Sequence, residues 1–240
     1  FKNGNDLGTI DPSTGAIITI PGVSYVNKLT NVDGVLLFRG YSSAAGHELY
    51  RFDQATQSVQ LIDVVPGNKN SYPDDFIKVH DTVFFTARSS DTGTELWKLD
   101  SNGDATLVKD INSGSSSSNI SQLFSFNGAL YFTADNGISG KELWTSDGTA
   151  EGTRLAKDIN NITPSSSPTN LFDVHGTLYF TADDGIHGSQ LYELDSQSNQ
   201  PIALGSSSGL SQFIVAHDQL FFKNGNDLGT IDPSTESIIT

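Results

Sequence analysis

Apolar residues along this chain come in short runs: VLLF at 35–38, TVFFTA at 82–87, ALYFTA at 129–134, TLYFTA at 177–182 and QLFF at 219–222, each bounded by clusters of Gly, Asn, Asp and Ser. Brief runs rich in β-branched and aromatic residues between turn formers predict short strands, and no stretch of useful length carries the 3.6-residue apolar period of an amphipathic helix. The pattern predicts an all-β chain with frequent turns and almost no helix.

The runs recur. The aromatic that closes each one is Phe38, Phe85, Phe132, Phe180 and Phe222, at steps of 47, 47, 48 and 42 residues. Phe85–Trp97, Phe132–Trp144 and Phe180–Tyr192 spell nearly the same phrase. A period in this range marks an array of supersecondary units, each of which needs a neighbour to cover its faces. The ends of the chain repeat more closely still. Residues Phe1–Thr14 are identical to Phe222–Thr235, and the match runs on to Thr19 and Thr240 with changes only at Gly15/Glu236 and Ala16/Ser237.

Each unit reads as four short strands. The turn between the first two falls at Asp33-Gly34, His80-Asp81, Asn127-Gly128, His175-Gly176 and His217-Asp218; Gly, Asn and Asp suit the positive φ of a two-residue hairpin. The turn after the third strand carries Asp53, Asp100, Asp147, Asp195 and Asp232, with Asp11 as the terminal duplicate. A short carboxylate there accepts backbone N–H groups and closes an Asx-type turn, which is a structural task. Four-stranded antiparallel units of this length close radially, so the fold expected is a five-bladed β-propeller in which one set of duplicated terminal strands completes the ring. In that reading residues 1–240 form a single domain: a partial copy of the last blade at 1–22, blades at 23–67, 68–112, 113–160 and 161–206, and the last blade at 207–240.

Composition narrows the function classes. A formal charge of −15 argues against nucleic acid, whose binding relies on Lys and Arg against phosphates. No Cys is present, which removes disulfides, thiol catalysis and Cys-ligated zinc. Nothing approaches 18 consecutive apolar residues, so no membrane insertion is expected. The chain contains no Met and opens on Phe1, which reads as a piece excised or processed from something longer.

The segment ELWTSDGTAEGT (Glu142–Thr153), followed by KDIN (Lys157–Asn160), resembles the bacterial ELWxxDGT-repeat family. TELWKLDSNG (Thr94–Gly103) and SQLYELDSQS (Ser189–Ser198) are partial matches, HELYRFDQAT (His47–Thr56) is weaker, and NDLGTIDPST (Asn226–Thr235) keeps only Leu228 and Asp232. The resemblance covers about residues 23–206. It implies a propeller-like repeat of a large bacterial surface or secreted protein, and it brings no catalytic residues with it.

Candidate binding groups follow from the repeat. Trp97 and Trp144, with Tyr50 and Tyr192 at equivalent places, suit stacking on sugar rings, although such residues more often pack between blades. Leu49, Leu96, Leu143, Leu191 and Leu228 point to the opposite face and are expected to pack. Asp91, Asp135, Asp183 and Asp184 lie in Gly-containing loops where calcium is the candidate ion, set against plain acidic turns. His80, His175 and His217 read as turn residues, and His47 and His187 have no set spacing with them. Gly205–Gly209 fits GxSxG formally but lacks the strand-to-helix setting of a nucleophile elbow. Asn119-Ile-Ser121 and Asn161-Ile-Thr163 are glycosylation sequons only in name. The function expected is a non-enzymatic structural or adhesive module, extracellular or at the bacterial cell surface, whose partner is another copy of itself in a tandem or strand-swapped array; the alternative is a lectin-like module for surface glycans, with or without calcium.

Overall fold

The computed structural model describes residues 1–240 apart from 12, 101, 163–164, 196–197, 205–208, 233–236 and 240. The described residues form strands, turns and bends, with no helix. The chain divides into two compact units, Phe1–Ser117 and Ser118–Thr240.

Unit 1 holds three sheets. The first is three-stranded: β1 (Lys2–Asn3), β2 (Asp6–Ile10) and β3 (Ile17–Ile20). The second is β4 (Ser24–Val32), β5 (Val35–Ser42), β6 (Gly46–Asp53) and β7 (Ser58–Ile62), and the third is β8 (Asp74–Val79), β9 (Thr82–Ser89), β10 (Gly93–Leu99) and β11 (Ala105–Lys109). Unit 2 has three four-stranded sheets: β12 (Ser121–Phe126), β13 (Ala129–Asp135), β14 (Lys141–Ser146) and β15 (Arg154–Lys157); β16 (Thr169–Val174), β17 (Thr177–Asp183), β18 (Ser189–Leu194) and β19 (Pro201–Ala203); and β20 (Leu210–Ala216), β21 (Gln219–Asn224), β22 (Asp227–Asp232) and β23 (Ser237–Ile239). Every sheet is an antiparallel meander in chain order.

The sheet count corrects the expected five. Each terminal duplicate builds a sheet of its own, so the described chain contains six. The two copies are near-identical in sequence and equally able to fold locally, which leaves neither needed to complete the other.

The hairpins between first and second strands turn as the residues dictate. Asp33, Asn127 and His175 have φ near +50°, and each is followed by a glycine with φ between 77° and 83°, the paired left-handed geometry that matches strand twist. His217 and Asp218 adopt it without a glycine. First strands also share a bulge: register shifts fall at Asp74/Ile77, Ser121/Phe124, Thr169/Phe172 and Ser211/Ile214. Within them Asp75, Gln122, Asn170 and Gln212 have positive φ, the extra residue bending the strand and raising its twist.

Each sheet has two unlike faces. One carries the repeating phenylalanine, paired directly across the strands with the large aromatic of the third strand: Phe38 with Tyr50, Phe85 with Trp97, Phe132 with Trp144 and Phe180 with Tyr192. At Phe222 the partner is Gly229, and the phenyl ring lies where a Cβ on that glycine would sit, 2.5 Å away. The other face carries the leucine that precedes the aromatic. Buried clusters place the leucine of one sheet with the phenylalanine of the next: Leu7 with Phe38, Leu49 with Phe85, Leu143 with Phe180, and Leu191 with Phe222. Burial of these large side chains, each worth about 1.5–3 kcal/mol, is what couples successive sheets inside each unit. Leu228 departs from the expected row: it is exposed, because no described sheet lies on its face.

Candidate functional site

The third-strand aromatics proposed for sugar stacking are not available for it. Tyr50, Trp97, Trp144 and Tyr192 are all buried, each against the phenylalanine across the strands, with Phe38–Tyr50 and Phe180–Tyr192 stacked at 5.8 and 5.5 Å between ring centroids. Area decides this, since a buried aromatic gains more from apolar neighbours than from an occasional ligand.

The calcium candidates are likewise engaged inside their own loops. Asp135 and Asp183 each accept the N–H two residues on, from Gly137 and Gly185. Asp184 accepts from the backbone of Ile186 and His187 and meets the His187 ring at 2.7 Å; these bonds hold its carboxyl well below the usual carboxylate range. Asp91 accepts from the Ser90 hydroxyl. Among the described residues no three His, Asp or Glu side chains gather around a point that would hold a metal ion.

The turn carboxylates do close Asx-type turns. Asp11 accepts from Ser13 and Thr14, Asp53 from Ala55 and Thr56, Asp100 from Asn102 and Asp104, Asp147 from Thr149, and Asp195 from Ser198. Hydrogen bonds to Ser13 and Thr14 lower Asp11 to about 2. The turn after Asp232 lies at residues 233–236, outside the described ones, as do Ser207 of the GxSxG match and Thr163 of the second sequon.

Two features escaped the sequence reading. The first is the glutamate of the repeated Glu-Leu-aromatic phrase. Glu48, Glu95 and Glu142 are fully buried. Glu48 accepts from Val64 N (2.9 Å), Ser71 N (3.0 Å) and Ser71 Oγ (2.7 Å), and Glu142 accepts in the same way from Ile159 N, Ser166 N and Ser166 Oγ. Glu95 accepts from Ile111 N. Each carboxylate thus fastens the crossing segment to the sheet it leaves. The serine's own carbonyl accepts from the next sheet, Ser71 from Arg88 N and Ser166 from Asp183 N, so one Glu–Ser pair joins two sheets. Burial pushes Glu48 up to about 7 against the pull of these hydrogen bonds, and it pushes Glu142 up as well. The available signal was a Glu followed by Ser at the same 23- or 24-residue spacing.

The second is an aromatic cluster peculiar to unit 1. Tyr25 meets Tyr41 edge-on at 5.8 Å and His47 at 6.3 Å, His47 lies 5.0 Å from Tyr41 and stacks on Tyr72 at 5.2 Å, and the Arg39 guanidinium sits 5.8 Å from the Tyr72 ring centre. Asn27 holds Arg39 through a 2.7 Å bond to Nε. Burial, with Arg39 nearby, lowers the His47 pKa. Tyr25 and Tyr72 are exposed, and a cavity of about 310 Å³ opens beside Tyr72, lined also by Lys69, Asn70 and Arg88. The cluster breaks the repeat: Thr94, Lys141 and Ser189 stand where His47 does, and Arg88, Asp135 and Asp183 where Tyr41 does. An exposed platform of rings with a cation and amides at its edge has the make-up that grips the apolar face and hydroxyls of a sugar.

No protein-family profile matches this chain, and no curated protein matches it. Solved structures do. Dipeptidyl peptidase 4 of Porphyromonas gingivalis is similar over 98% of this chain and 42% of that one, at 10% identity and a TM-score of 0.63. A prolyl endopeptidase is similar over 97% of this chain and 37% of its own, at 11% identity and a TM-score of 0.57. The β-propeller domain of the Trilobed protease from Pyrococcus furiosus matches at 14% identity and a TM-score of 0.49. The chain spans about two fifths of the length of the two peptidases. At such identities the likeness shows the fold alone: an all-β, propeller-like succession of antiparallel sheets.

Proposed function

We propose that this chain is a non-catalytic structural or adhesive repeat module of a bacterial extracellular protein, a bead whose sheets continue from one circuit into the next. The observation that carries it is the duplicated terminal sheet, the same strands built twice 221 residues apart. The ELWTSDGT phrase of Glu142–Thr149 supports the surface-protein setting through its resemblance to ELWxxDGT repeats. Buried carboxylates support it too, since they are spent on joining sheets rather than held ready for proton transfer. In arrays of this kind stability accumulates through neighbour contacts. A fused protein in which residues 20–240 follow residue 240 is therefore expected to unfold at higher denaturant than the single chain, because its internal copy of β20–β23 acquires a covering sheet. An unchanged midpoint would remove the bead reading.

The cluster around His47 favours a second reading, recognition of surface glycans at unit 1. Titration with neutral oligosaccharides is expected to show binding that Tyr25→Ala weakens at least about tenfold, the scale of one lost ring contact. Silence across a glycan array would discard this reading and leave the first intact.

A further inference from the structure

The terminal duplicate offers a direct comparison, because the same residues meet different surroundings at the two ends. On the leucine face, Leu7 is 2% exposed beneath β4 and β5, in a cluster with Val23, Val26 and Phe38, whereas its equivalent Leu228 is 69% exposed. On the phenylalanine face the order reverses. Phe222 and Ile231 are 1% and 7% exposed, packed with Leu191 and Tyr179, whereas Phe1 and Ile10 are 47% and 57% exposed. One copy lacks a cover on its leucine face and the other on its phenylalanine face.

The covered copies show what each bare face accepts. Wherever a leucine face is buried within a unit, what lies on it is a phenylalanine face. The bare leucine face of β20–β23 presents Leu228, Ile214 and Ile239, all exposed and on one side by register through Phe221 and Thr230. The bare phenylalanine face of β1–β3 presents Phe1, Ile10 and Ile17, with Ile10 and Ile17 paired across β2 and β3. These correspond in the repeat to Phe38, Phe52 and Val59 of the next sheet, the residues of the cluster that already receives Leu7. Contiguous apolar area of this kind marks an interaction surface.

We propose that copies of this chain associate head to tail, the leucine face of β20–β23 in one copy seating on the phenylalanine face of β1–β3 in a second copy. The contact joins two different surfaces, so it propagates into open chains rather than stopping at a symmetric dimer. It rests on reading the chain as an assembling repeat module and names the surface and partner that reading requires. The charge of −15 on every copy opposes the contact at low ionic strength and does so less as salt screens it.

Sedimentation equilibrium from about 1 to about 300 µM, at about 0.05 and 0.5 M NaCl, tests the proposal. The average mass is expected to rise with concentration above the 25.7 kDa of one chain, and to rise further at the higher salt. Leu228→Asp and Ile10→Asp should each remain single chains while melting as the unaltered protein does, since both side chains are exposed. Mixed together, the two variants retain one intact face apiece and should form a one-to-one dimer and nothing larger. A single-chain mass at every concentration, association that survives either variant, or a mixture that fails to pair would each overturn the proposal. A fused protein that gains stability while separate chains stay single would overturn this contact and leave the module reading standing.

Discussion

Glu48→Ala is expected to cost unit 1 at least about 3 kcal/mol, because it strands three donors at once, Val64 N, Ser71 N and Ser71 Oγ, and a buried donor left without an acceptor costs about 1–3 kcal/mol. Denaturant unfolding followed by circular dichroism measures it. Glu48→Gln keeps one acceptor oxygen and should cost less; Gln190 already occupies the equivalent place in a later repeat and is buried there. The same residue sets a pH dependence. Its folded-state pKa of about 7 lies above the ordinary 4.5, so its contribution to stability is fully present below about 4.5 and is lost as the pH rises through about 7. Glu142 is raised in the same direction. Asp11, lowered from 3.8 to about 2, works oppositely: its contribution is present above 3.8 and is lost as the pH falls through about 2. The melting temperature should therefore be higher near pH 5 than near pH 7.5. The double variant Glu48→Gln, Glu142→Gln should flatten that slope, and a wild-type protein with no slope would show that the buried carboxylates are not protonated on this scale.

Phe180→Ala is expected to cost about 3–5 kcal/mol, the range for deleting a fully buried phenyl ring. Phe180 is 0% exposed, stacks on Tyr192 and packs with Leu143 of the preceding sheet, so its loss empties space on which two sheets of unit 2 rely. Phe1→Ala is the internal control. That ring belongs to the same repeating series but is exposed, and its removal should change the stability of isolated chains by no more than about 0.5 kcal/mol. Equal losses at the two positions would mean that the phenylalanine face does not depend on a covering sheet.

Much of the architecture could be read from spacing. The phenylalanine series and the turn residues located every four-stranded sheet, since a strand pair and its hairpin depend on neighbours close in sequence. The number of sheets could not be read that way. Two copies of one segment are equally consistent with a shared sheet and with two separate ones, and only packing decides between them. Leu228 shows the same limit: its place in the leucine row was legible, but its exposure depends on whether a neighbour exists. The binding candidates fared worst for a related reason. Repeating aromatics attract notice because they recur, and they recur because they are core. The cluster around His47 draws Tyr25, Tyr41, His47 and Tyr72 from separate strands and a crossing segment, and no linear motif announces it.

The Glu–Ser joint has a consequence for how such a molecule varies over time. Because it ties each crossing to the sheets on both sides through backbone groups, it leaves the stretch between second and third strands free to change length, and that stretch is where the shorter step of 42 residues arises, between Phe222 and Asp227. Genetic slippage that adds or deletes a whole period carries its own fastening with it. Proteins built on this joint can grow or shrink by complete periods while the interior of every remaining sheet stays as it was.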